Sequence, residues 1–85
     1  MNYGLSHWQR EVAALEARRK ANLRAIDAVP ENIPDSLFNS RLLKLEAEAI
    51  TIEDQLEKAR LQLRLAEAFE RITWLEAIVL KGVAA

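Results

Sequence analysis

Apolar residues recur along this chain with one spacing but in two blocks. In the first block Leu5, Trp8, Val12 and Leu15 lie three or four residues apart. Arg19 and Asn22 take the next two stripe positions, and Ile26 and Val29 restore the stripe. This spacing keeps one side of an α-helix apolar. Leu23 sits beside the polar pair and is expected to fill part of the gap. Ser6 precedes Gln9 at the spacing of a capping box, which predicts a helix starting after Ser6 and covering about residues 7–28.

The segment VPENIPDS interrupts the pattern. Pro30 disfavours helical geometry at Val29, and Pro34 suits the first turn of a new helix, with Asn32 and Asp35 both candidates for its cap. A turn at about residues 29–34 is short enough to bring the flanking helices together antiparallel. From Asp35 no breaker occurs until Gly82, which predicts a second helix over about residues 35–81. Its stripe is Phe38, Leu42, Leu45, Ala49, Ile52, Leu56, Ala59, Leu63 and Ala66, a heptad seam. The fold class that follows is all-α: an antiparallel helical hairpin with a long second helix, coiled-coil-like, in a single domain over residues 1–85. The expected hairpin core is Trp8, Val12, Leu15, Ile26, Phe38, Leu42, Leu45, Ile52 and Leu56.

The two helices differ in length. At about 1.5 Å per residue the first spans roughly 33 Å and the second roughly 70 Å. A turn centred near Asn32 sets Ser6 opposite about Glu57, so the chain beyond Lys58 is expected to lack an intrachain partner. A second seam begins there, formed by Leu61, Leu65, Ala68, Ile72, Leu75 and Val79, on nearly the opposite side of the helix from Leu63. Phe69, Trp74, Ile78 and Leu80 add bulk around it. A large apolar side chain gains roughly 1.5–3 kcal/mol on full burial, so leaving eight in water forgoes on the order of 10 kcal/mol. That rivals the net stability of a domain. Self-association is therefore expected through Leu61, Leu65, Phe69, Ile72, Trp74, Leu75, Ile78 and Val79, as a homodimer or larger bundle. The competing arrangement folds residues 58–81 back into a three-helix monomer, but no Gly or Pro lies where such a bend is needed.

Composition narrows the picture further. The chain has 85 residues, no cysteine, two glycines and two prolines, and a formal charge of −1. No disulfide can brace so small a domain, and no thiolate is present to bind a metal. The near-neutral charge creates no field for polyanions or acidic membranes. No signal-peptide pattern or apolar run of spanning length occurs, which predicts a cytoplasmic protein without membrane contact. Residues 6–28 carry five bases and three acids, whereas residues 35–57 carry six acids and two bases. Opposite charge on the two helices selects their antiparallel alignment, at about 0.2–1 kcal/mol per exposed pair.

Candidate chemistry is sparse. His7 is the only histidine and has neither an orienting acid nor a nucleophile in its neighbourhood; an exposed first-turn residue is the expectation. Glu46, Glu48, Glu53, Asp54 and Glu57 lack the Glu-x-x-His step of a carboxylate metal site and read as a solvated face. Arg18, Arg19, Lys20 and Arg24 have the charge to contact phosphate. The facing helix is acidic, however, and Arg19 is expected to meet Glu46 or Glu48. The last helix carries Glu67, Glu70 and Glu76 and lacks the basic polar face of a membrane-surface anchor. No catalytic residue, metal or cofactor is expected.

The stretches ALEARRKANLRAI and SRLLKLEAEAITIEDQLEKA, within about residues 11–60, resemble the helical-hairpin arm of large serine recombinases. Leu42, Leu45, Glu46 and Glu48 match the L-x-x-L-E-x-E pattern of that arm. The resemblance implies a coiled coil that mediates contact between DNA-bound subunits. Without cysteines for the family's zinc site, it implies a detached contact arm with no nuclease chemistry. The function expected is a non-catalytic protein-interaction module: an adaptor, an assembly subunit or a protein inhibitor. The expected partner is a further copy of itself, with a larger protein as an additional candidate and direct nucleic-acid contact disfavoured.

Overall fold

The computed structural model describes residues 3–84. It contains two helices, α1 over Leu5–Asp27 and α2 over Asp35–Ala84, and no strand among the described residues. They pair antiparallel into a hairpin measuring 76 × 17 × 15 Å, with α2 as its long axis. The all-α, coiled-coil-like hairpin read from the periodicity is the fold observed.

The helix ends differ in detail from the sequence reading. Helix α1 begins at Leu5, not after Ser6. Gly4, in extended conformation, is its N-cap and makes no side-chain cap hydrogen bond. The Trp8 N–H donates to the Gly4 carbonyl at 3.3 Å, so Ser6 is already helical and its carbonyl instead accepts from Arg10 Nε at 3.3 Å. Leu5 and Trp8 are both half-buried. Extending the helical phase through Leu5 brings that side chain onto the apolar stripe, and burial outweighs the local capping box.

At its other end α1 closes with the Ala28 N–H donating to the Arg24 carbonyl and the Val29 N–H to the Ile26 carbonyl. The Phe38 N–H donates to the Pro34 carbonyl at 2.9 Å, so Pro34 stands just ahead of α2, with Asp35 in the first turn, where negative charge suits the helix dipole. Gly82 does not stop α2, which continues to Ala84 with no positive φ at glycine. Glycine permits a left-handed stop but does not impose one.

The core is thin and linear. Leu15, Ile52, Leu56 and Ala59 are buried, and Leu56 has no exposure at all. Trp8 and Val12 pack against Leu15, Leu56 and Ala59. Ile26, Phe38, Leu42, Leu45, Ala49, Leu63 and Ala66 are half-buried along the same seam. The gap left by the polar stripe positions is closed not by Leu23, which is exposed, but by Asn22, 6% exposed, whose Nδ2 donates to the Leu45 carbonyl at 3.1 Å.

Candidate interaction surface

The register of the hairpin decides how much of α2 stays uncovered. Arg19 pairs with Glu53, not with Glu46 or Glu48, and Arg60 Nη2 lies 3.3 Å from Glu16 Oε1. Arg18 Nη1 donates to Gln55 Oε1 at 3.4 Å. Each partner on α2 lies further along the chain than a turn centred on Asn32 would set it. The connection explains the shift. Val29 and Ile33 are half-buried, and the Asn22–Leu45 contact brings Asp27 level with about residue 40. The connecting segment thus runs back beside the first turns of α2 in place of a centred reversal.

As a result α1 reaches beyond Glu57. Leu5 and Trp8 come beside Leu65, Ala66 and Phe69, at an open groove of about 1210 Å³ that runs on along α2 past Trp74. Arg60 and Leu63, assigned from the sequence to the unpartnered run, are engaged by α1 or half-buried. The bare segment therefore starts near Glu67, and every residue from Glu67 to Gly82 is exposed.

Helix α2 passes through this region without folding back. The Thr73 hydroxyl donates to the Phe69 carbonyl at 3.0 Å, a bond within the helix that leaves it continuous. Phe69 is 71% exposed and Trp74 62%; Leu61, Leu65, Ile72, Leu75, Ile78, Val79 and Leu80 are exposed as well. All eight residues expected to mediate association thus lie on the surface of one protomer, and the expected core residues lie along the α1–α2 seam.

The polar groups offer little that converges. Among the described residues, no three His, Asp or Glu side chains are grouped to hold a metal. Asp54 pairs with Lys58 one turn on, at 3.1 Å, with both side chains largely exposed. His7 departs from the expectation of an exposed residue: it is half-buried, stacked on Tyr3 at 4.0 Å and edge-on to Trp8 at 4.8 Å. The His7 contact with Tyr3 was hidden in the sequence, because Tyr3 precedes the periodic block and signals nothing by itself. Leu43 and Ile50 are exposed singly on the hairpin, as single apolar residues commonly are. No described helix is long and apolar enough to cross a membrane.

No family model, curated protein or solved structure matches the chain.

Proposed function

We propose that this protein is a non-catalytic interaction module that homodimerises through the carboxy-terminal run of α2 and serves as an adaptor, an assembly subunit or a protein inhibitor. The observation that carries the reading is the surface of the isolated protomer. At 9.7 kDa a compact monomer exposes about 5,100 Å², whereas this one exposes 7038 Å². A standard interface covers about 800 Å² on each partner. The excess is ample for that, and its most apolar part is residues 61–80. Contiguous apolar surface of this kind marks an interaction site.

Sedimentation equilibrium at micromolar concentration tests the reading. The parent should sediment as a dimer or larger, and Phe69→Asp combined with Ile72→Asp should shift it to monomer. A folded parent that remains monomeric would refute self-association.

A second reading has the helical-hairpin form itself in its favour. It is a detached coiled-coil arm of a DNA recombinase-type protein, mediating contacts between subunits near DNA. That reading predicts assembly through the same helix. Strong, salt-dependent DNA binding that Arg18→Ala with Lys20→Ala abolishes would favour a role at the nucleic acid directly.

A further inference from the structure

The exposed seam and the charges below it carry an orientation. We propose that a second copy packs antiparallel along Leu61, Leu65, Ala68, Ile72, Leu75 and Val79, about a two-fold axis through the seam at the height of Glu70, forming a rod with a hairpin tip at each end. This rests on the self-association reading and adds orientation and register to it.

The seam lies mainly on the side of α2 turned away from α1, with Leu65 at its edge, where it also lines the groove beside Leu5 and Trp8. Ala59 is buried beneath α1, and Leu63 and Ala66 are half-buried, whereas the six seam residues are exposed. Centring the axis at the height of Glu70 engages all six. Leu61 then meets Val79 of the second copy, Leu65 meets Leu75, and Ala68 meets Ile72. Sliding either helix by one heptad loses part of this set.

Size and charge distinguish antiparallel from parallel packing. In a parallel pair Ala68 would face Ala68 beside a layer of two isoleucines, leaving a void next to a crowded layer. Antiparallel packing sets the small residue against the large one, as well-filled cores do. The next two seam positions toward the turn are Lys58 and Asp54, exposed and paired with each other. A parallel copy would bring Asp54 against Asp54 and Lys58 against Lys58, and like charges facing each other across a seam are destabilising. The antiparallel overlap ends short of that repulsion. Near the axis it also brings Phe69, 71% exposed in the protomer, beside Phe69 of the second copy, where aromatic rings attract.

The consequence is a double-ended spacer. From the axis to Asp35 is roughly 50 Å along α2, so the two tips stand about 100 Å apart. A parallel dimer would hold both tips side by side. Two identical ends on one rigid rod can engage two copies of a partner only where the spacing between those copies matches.

The chain has no cysteine, so introduced ones report cleanly. Leu61→Cys chains, Val79→Cys chains and an equal mixture are oxidised in parallel, and Leu65→Cys with Leu75→Cys forms a second set. Circular dichroism verifies that each variant is folded. Antiparallel packing predicts cross-linked dimer in the mixtures and almost none in either variant alone, since two Leu61 positions lie roughly 27 Å apart. Cross-linking of each variant by itself overturns the orientation. A parent that sediments as a dimer while no arm cross-links overturns the register but leaves self-association standing. A monomeric parent overturns both.

Discussion

Leu56 and Asn22, one apolar and one polar, are both enclosed by the hairpin for opposite reasons. Leu56 has no exposure and fills the space between Trp8, Val12 and Leu15. Truncation there removes apolar contact and opens a cavity, so Leu56→Ala should cost about 2–5 kcal/mol in urea denaturation. Asn22 contributes one hydrogen bond, to a carbonyl inside α2, at 3.1 Å. A helix-interior carbonyl keeps its own helical partner, so Asn22→Ala should cost only about 1 kcal/mol. A reversed order of the two costs would mean that the polar contact, not the apolar seam, holds the helices together. The value of Asn22 lies in register: its amide reaches Leu45 only when the helices are aligned as observed, the role buried polar residues play in coiled coils. That role could not be read from the sequence, where Asn22 looks like a defect in the stripe.

The two helices record how local and tertiary forces compete. Ser6 and Gln9 have the spacing of a cap, yet α1 starts before them because Leu5 gains by joining the seam. Gly82 has the identity of a stop, yet α2 passes through it. A side chain added there would meet nothing within 4 Å. Gly82→Ala should therefore strengthen the last turns by up to ~1 kcal/mol, seen as slower amide exchange near the end of α2 with the core unchanged. Faster exchange would mean that the glycine is needed where it stands. The ion pair Arg19–Glu53 follows from the basic first helix and the acidic second helix, whereas Glu16–Arg60 runs the other way, an acid on α1 meeting a base on α2, and neither partner could be named from the sequence. A charge pattern gives the sign of an alignment; the path of the connection through Val29 and Ile33 decides its offset.

For the molecule as a whole, the mismatch in helix length governs behaviour. On the self-association proposed above, a protomer with so narrow a core and so long a bare helix would gain stability from a second copy covering that helix. Its melting temperature should rise with protein concentration, because association favours only the folded form. Scanning calorimetry over a hundredfold concentration range checks this, and a constant Tm would count against assembly. The proposed use of the terminal run as a partner surface also fits its composition. Glu67, Glu70, Arg71 and Glu76 space the apolar residues without leaving any side of the helix free of them.

By itself the sequence determined the helix count, the antiparallel pairing and every position of the α2 seam, because a heptad repeat and two prolines act locally and need no distant contact. It also determined that residues 61–80 carry apolar side chains on every side of the helix. Only the tertiary structure decided where α1 begins, which carboxylate meets Arg19, and that the bare run starts near Glu67 and not at Lys58. Those depend on how a short connection folds against α2, and a repeat that looks alike every seven residues carries no mark of its own offset.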